Sequence, residues 1–290
     1  MEKEKYSFKN SIFICVIIIL LISLLSVSII LFCFKINKNN LPDNNSPKGV
    51  WWWDNRLSDE YLDFAQQNNI NEIYYYTSDF SQKNSDFIKN ANNRNIDVYW
   101  LCGDYVYIDD YSLFYLEMDK FIEFQSLNKD NNFEGVHLDV EPHQNPDWEN
   151  DRENIIIRYL DFVKTVTERY SDIKFDFDIP FWFDDIINFD NQTKELYKFV
   201  FDYADRVFVM SYRDSAEEMV KVSSEELDYA KEINKSIFLS VETGEEEDIV
   251  TYYQEGKAYL YSQIENLKDL INQDFGLAIH HIKSWKELKD

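Results

Sequence analysis

The sequence is poor in cysteine, glycine, histidine and positive charge, and each shortage removes a class of function. Three cysteines occur in 290 residues, and Cys15 and Cys33 fall inside one apolar run. Cys102 is left alone in the rest of the chain, which excludes an internal disulfide there and a thiolate zinc cluster. Only six glycines are present, and no Gly-rich loop follows any predicted strand. That disfavours a backbone phosphate cradle and hence nucleotide binding. Against 29 Lys and Arg stand 54 Asp and Glu, a formal net charge of −25. Such a surface repels phosphates, so nucleic acid is not an expected partner, whereas a neutral or cationic ligand is accommodated. The four histidines form no His-x-His on the first predicted strand, the signature of metal-dependent barrel hydrolases. Neither a metal nor a cofactor is expected.

What is present is apolar and aromatic. Hydrophobic residues make up 45% of the chain and aromatic residues 17%, ample for a packed core despite the charge. Flat rings fill cores and also stack on sugar faces, so the aromatic excess alone does not choose between packing and carbohydrate binding. Residues 12–34 are an uncharged apolar run, with Lys3, Lys5 and Lys9 before it and Lys35 and Lys38 after it. About 20 apolar residues span a bilayer as a helix, whereas a signal-peptide core is shorter, roughly 7–15. No small-residue cleavage signal follows, and Cys33 lacks the small residue a lipoprotein site wants before it. The expected arrangement is a cytoplasmic N-terminus (1–11), one transmembrane anchor in the lipid bilayer (12–34), an Asn-rich linker with two prolines (35–47) and one domain (48–290). The slight lysine excess before the run favours a single-pass cell-membrane protein with its domain on the extracellular side.

From residue 48 onward, strand and helix patterns alternate. Short β-branched or aromatic runs predict strands at 49–53, 72–77, 97–102, 135–141, 174–179, 206–212, 236–242 and 276–281. Apolar residues at helical spacing predict helices over 111–124 and 154–170. Ser58-Asp-Glu opens another, and Ser223-Ser-Glu-Glu226 has the pattern of a capping box. Eight strands, each followed by a helix, match an α/β closed (β/α)8 TIM barrel better than an open doubly wound sheet.

In such a barrel, functional groups occupy the C-terminal ends of the strands. Polar and aromatic residues gather at those predicted ends: Trp51 to Arg56, Tyr74 to Tyr76, Tyr99-Trp100, and His137 to His143. They continue with Asp176-Phe-Asp178 and nearby Trp182, Ser211 to Asp214, Glu242-Thr243, and His280-His281 with Trp285 beyond. The fourth strand carries the sharpest pattern. His137, Asp139 and Glu141 sit two apart and share one face of an extended strand. Turned inward they form a column of titratable groups, and packed carboxylates force one to hold a proton at neutral pH. A proton-bearing Glu141 at the rim is what a general acid needs to protonate a leaving oxygen.

The run Glu134-Gly-Val-His-Leu-Asp-Val-Glu141 resembles the strand-4 motif Asp-Gly-x-Asp-x-Asp-x-Glu of the family 18 glycoside hydrolases, the chitinase-like enzymes. Met210-Ser-Tyr212 resembles their strand-6 Met-x-Tyr. The resemblance implies Glu141 as acid, Asp139 as the partner that steadies a substrate acetamido group, and Tyr212 as a further contact to that group. It also implies the substrate's own N-acetyl oxygen as nucleophile. Glu134 and His137 stand where the family has aspartates, Arg213 where an acid is usual, and His280 where a strand-8 tryptophan is expected. The chain is also similar to bacterial barrel proteins with His-Leu-Asp-x-Glu-Pro, Tyr-Arg-Asp and Glu-Thr at strands 4, 6 and 7.

Two roles are open for Glu242. It is either the strand-7 nucleophile of a retaining glycosidase, whose carboxyl groups stand about 5–5.5 Å apart, or the partner of Arg213 in a buried ion pair. Catalysis is thus assigned to Glu141, Asp139, Glu242 and Tyr212. Contact with a carbohydrate is assigned to His137, His143, Arg213, Asp214, Asp178, Trp53, Trp100, Trp182 and His280, with Trp285 and Trp148 as further stacking candidates. At least one of Trp51, Trp52 and Trp53 must pack, since neighbours on a strand face opposite ways. The expected activity is hydrolysis of a cell-surface or extracellular glycan. The alternatives are a catalytically inactive carbohydrate-binding barrel and a metal-dependent hydrolase or deacetylase.

Overall fold

The computed structural model describes residues 41, 46–54, 58–247 and 249–290. The expected anchor at 12–34 and part of the expected linker lie outside the described residues, as do Asn55 and Arg56. Among the described residues no helix is long and apolar enough to cross a membrane.

The strands are β1 (Lys48–Trp52), β2 (Glu72–Tyr76), β3 (Asp97–Cys102), β4 (Val136–Leu138), β5 (Phe175–Pro180), β6 (Ile186–Phe189), β7 (Gln192–Glu195), β8 (Arg206–Met210), β9 (Ser236–Glu242) and β10 (Gly276–His280). Eight of them close a parallel barrel in the order β1-β10-β9-β8-β5-β4-β3-β2, while β6 and β7 form a separate two-stranded sheet. The helices are α1 (Asp59–Gln67), α2 (Gln82–Asn92), α3 (Tyr111–Leu127), α4 (Trp148–Arg169), α5 (Leu196–Tyr203), α6 (Ala216–Val222), α7 (Ser224–Ile233), α8 (Lys257–Leu270) and α9 (Ile282–Glu287).

Each predicted strand forms, because a strand buried on both faces must be apolar throughout and these runs are. Alternate side chains then divide between two cores. Inward, Trp51, Tyr74, Tyr99, Leu101, Phe208, Phe238 and Ala278 fill the barrel. Outward, Trp52 packs against Tyr61 and Phe87, and Trp100 stacks on Phe121. Each such ring contributes roughly 1.5–3 kcal/mol by leaving water. The barrel accommodates large interior rings because Gly276 lies against Phe238, where a Cβ would collide with the ring.

Three local features depart from expectation. The fourth strand ends at Leu138 rather than at Glu141: Asp139 still donates its N–H to Cys102 O (3.0 Å), after which Pro142 opens a short 3-10 turn, Pro142–Gln144. The β6–β7 hairpin was not predicted. It turns at Asp190 and Asn191, both with positive φ, as a tight two-residue hairpin requires. The expected capping box does not form. Ser223 sits between α6 and α7 with ψ near 13°, so its hydroxyl does not cap α7, and Ser223 Oγ and Glu226 Oε1 are buried with no hydrogen-bond partner among the described residues. Ser58, by contrast, caps α1 by accepting from Glu60 N (3.1 Å).

Candidate active site

The strand-4 column forms, but its members differ in depth. His137 is completely buried among the rings of Trp51, Tyr74 and Phe208 and stacks on Tyr74 at 4.1 Å. Its Nε2 lies 2.9 Å from Asp178 Oδ2, and its Nδ1 lies 3.8 Å from Asp176 Oδ2. Burial alone would depress the imidazole, but Asp178 and Asp176 outweigh it and push the ring up to about 9. His137 is therefore a buried cation and not the ligand contact expected of it. Asp178, also expected to touch ligand, is buried as its counter-ion.

Below His137 the charges continue. Asp176 accepts from Arg206 Nε and Nη2 (2.8 and 2.6 Å), and Arg206 Nη1 donates to both oxygens of Glu72 (2.9 and 2.8 Å). Tyr74 Oη donates to Glu72 at 3.0 Å. Burial would raise Asp176, but Arg206 and His137 hold it below the ordinary carboxylate range. Glu72, Arg206, Asp176, His137 and Asp178 thus form one ladder of alternating charge inside the barrel. Sequence reasoning passed over Glu72 and Arg206. Their only signal was a charged residue opening an otherwise apolar strand.

Asp139 and Glu141 follow in the segment just past the end of β4. The backbone of Asp139 packs directly on Gly103, where any side chain would collide with its carbonyl. Burial, then the charges of Asp178 and Glu141, push Asp139 well above the usual carboxylate range, against the pull of His137. Asp139 Oδ1 and Asp178 Oδ1 are buried with no hydrogen-bond partner among the described residues. The proton that the packed carboxylates demand is thus favoured on Asp139. Glu141 is bonded through both oxygens: Gln144 Nε2 donates to Oε1 (2.7 Å), and His143 Nε2 lies 2.9 Å from Oε2. His143 meets Trp182 edge-on at 5.0 Å, and Trp148 completes this aromatic wall, with the Arg152 guanidinium 4.9 Å from its ring centre.

Across the face, Glu242 ends β9. Its Oε1 accepts from the backbone N–H of Thr243 and Gly244 (2.7 and 2.5 Å), and its Oε2 lies 2.6 Å from His280 Nδ1. Burial would raise this carboxyl, but the His280 hydrogen bond and the two backbone donors hold it below its ordinary value. The Glu242–Arg213 ion pair is not what forms. Arg213 donates to Tyr212 O (2.7 Å) and lies over the Phe181 ring at 4.4 Å. Tyr212 is raised well above the ordinary phenol value by burial and then by the charges of Glu242, Asp178, Asp139 and Glu141. The groups concerned end or follow β4, β5, β8 and β9, four neighbouring strands of the barrel. Trp53 reaches the same region, donating from Nε1 to His280 Nε2 (3.0 Å) with Tyr76 beside it at 5.5 Å.

Other expected residues lie elsewhere. Trp100 is 1% exposed on the outside of the barrel, where its Nε1 donates to Thr77 O, so it does not reach a ligand. Trp285 is fully buried against Phe64. Asp214 donates its N–H to Ile249 O and acts on Tyr252 and Tyr259. Among the described residues no three His, Cys, Asp or Glu side chains converge as a metal site. A cavity of about 330 Å³ opens at the opposite end of the strands, beside Pro47, Ser236 and Gly276, and holds none of the expected residues.

No protein-family profile matches the chain, and no curated protein sequence matches it. Solved structures do. A family 18 chitinase from Cycas revoluta, in complex with (GlcNAc)4, superposes with a TM-score of 0.52 at 10% identity, covering 82% of this chain and 96% of that one. This chain shares its closed eight-stranded β/α barrel fold. A chitinase from Rhizomucor miehei gives 0.50 at 14% identity, covering 84% of this chain and all of that one. The spore cortex-lytic enzyme SleL of Bacillus megaterium gives 0.51 at 10%, covering 85% and 75%. At these identities the likeness is one of fold: the eight-stranded barrel expected from the sequence is present, and its structural neighbours are glycoside hydrolase barrels.

Proposed function

We propose that the chain is a glycoside hydrolase that cleaves a cell-surface or extracellular glycan, with Glu141 as general acid. The observation that carries this is that Asp139 and Glu141, Asp178, Tyr212 and Glu242 lie at or just beyond the C-terminal ends of four neighbouring barrel strands, β4, β5, β8 and β9. Glu141 is half-buried just past β4, where a general acid would meet a leaving oxygen, and the rings of His143, Trp182 and Trp148 beside it are the surface against which the leaving sugar would pack. The proton that one of the packed carboxylates must hold is favoured on Asp139 beneath it, and the acid role requires that this proton pass to Glu141 when a leaving oxygen arrives. Tyr212 and Glu242 face the reacting sugar from the other side. The likeness to a chitinase bound to (GlcNAc)4 makes amino-sugar glycans the first substrates to try. The proposal includes anchorage by residues 12–34, with the barrel outside the cell.

One observation favours a second function, a carbohydrate-binding barrel without turnover: both oxygens of Glu141 are already engaged by its own turn. Glu141→Gln separates the two. Release of reducing ends from bacterial wall glycan and chitin oligosaccharides should fall by roughly 10²–10⁴-fold while binding persists. Unchanged release, or binding with no release even by the unaltered chain, removes Glu141 as the acid.

A further inference from the structure

Trp53, His280 and Glu242 form a chain of hydrogen bonds whose direction is set by chemistry. An indole N–H can only donate. Trp53 Nε1 donates to His280 Nε2 at 3.0 Å, so that nitrogen must present its lone pair. The ring proton then sits on Nδ1, which faces Glu242 Oε2 at 2.6 Å. A second proton on Nε2 would set N–H against N–H. With the backbone donors of Thr243 and Gly244 on its other oxygen, Glu242 accepts from three fixed donors and has none of its own. The remaining groups around the imidazole are rings: Trp51 at 5.9 Å, Tyr212 at 6.2 Å and His281 at 5.4 Å.

We infer that Trp53 and His280 are positioning residues that hold Glu242 as a fixed anion on the C-terminal face, with His280 locked in its Nδ1–H tautomer. The sequence assigned both residues to ligand contact; the geometry assigns them to Glu242. An anion so held has no proton to give, which leaves acid duty to Glu141. It is suited to stabilising the positive charge that develops on a sugar ring as its glycosidic bond breaks. That use of Glu242 rests on the proposed hydrolase function, whereas the tautomer lock does not.

The test therefore reads the lock directly, on the full chain. The chain has four histidines, so ¹⁵N-histidine labelling gives a spectrum in which His280→Gln identifies the resonances of interest. The expected wild-type ring has a protonated Nδ1 and an unprotonated, hydrogen-bonded Nε2 at neutral pH. Trp53→Phe, which keeps a ring and removes the donor, should shift Nε2. An Nε2–H tautomer in the wild type, or no shift in Trp53→Phe, overturns the inference. The second readout is labelling of Glu242 by a water-soluble carbodiimide with glycine ethyl ester, followed by mass spectrometry. His280→Ala should raise labelling roughly tenfold, the scale of one hydrogen bond to a charged group. His280→Gln should restore protection, because its amide can donate to Glu242 and accept from Trp53 as the locked ring does. Equal labelling of the Ala and Gln variants argues for packing alone and sinks the idea. Glu141→Gln should leave both readouts unchanged, so failure of the acid and failure of the lock are separable.

Discussion

His137 shows how one side chain couples the interior to the site. Its folded value of about 9 lies above its ordinary 6.5. The folded state therefore binds the proton more tightly, and this contribution is complete below about 6.5 and lost as pH rises through about 9. Asp139, raised for a carboxyl, acts with the same sign, its contribution being lost as pH rises from the ordinary carboxylate range upward. Urea unfolding should show stability falling between pH 6.5 and 9.5 by a few kcal/mol, on the scale set by linkage. His137→Gln should reduce that slope, leaving the share of the buried Glu226, which is pushed up to about 8; an unchanged slope would place the titration elsewhere. The tryptophans provide a second contrast at this scale. Trp100→Ala should cost about 3–5 kcal/mol, measured by chemical unfolding, because a buried ring leaves a cavity. Trp182→Ala should leave stability within about 1 kcal/mol and instead weaken glycan binding, read by calorimetry.

At the scale of elements, the short β4 and the turn after it decide where the carboxylates stand. Three residues pair before the chain leaves the ladder, and Gly103 on the neighbouring segment lets the Asp139 backbone approach. Gly103→Ala should push β4 away, with a cost of about 1–3 kcal/mol and loss of whatever turnover the site has. Denaturation midpoints and initial rates on the same preparation check this. The eight strands were legible because each is a local apolar run, and β3 and β9 match their predicted ranges to the residue. The β6–β7 hairpin was missed because its strands are half-polar, so no apolar alternation marks them. The capping pattern at Ser223 misled because the preceding helix fixes the backbone of that residue.

Over the whole molecule, the ladder from Glu72 to Asp178 crosses the barrel interior. Removing one of its two cations, by Arg206→Ala, should cost about 3–5 kcal/mol, since Glu72 loses its ion pair and Asp176 keeps only the more distant His137. An Arg206→Ala, Glu72→Gln, Asp176→Asn triple variant should recover part of that loss in the same unfolding assay. The proposed anchor makes a separate prediction. The full chain should sediment with membranes after an alkaline wash, and a chain starting at Lys48 should not; release of the full chain would remove the anchor.

Sequence alone determined the barrel and the placing of the strand-4 carboxylates at the C-terminal end of its strands. Those follow from patterns within a few residues and from the rule that strand C-termini line the site. Only the tertiary structure decided what each side chain does. His137 became a buried cation because Asp178 closes on it from the next strand, and Trp100 was lost to the outer core by the parity of β3. Trp53 meets His280 across 227 positions, and Arg206 meets Glu72 across 134. Such contacts exist only once the barrel closes, because charge, tautomer and proton position are set by neighbours in space.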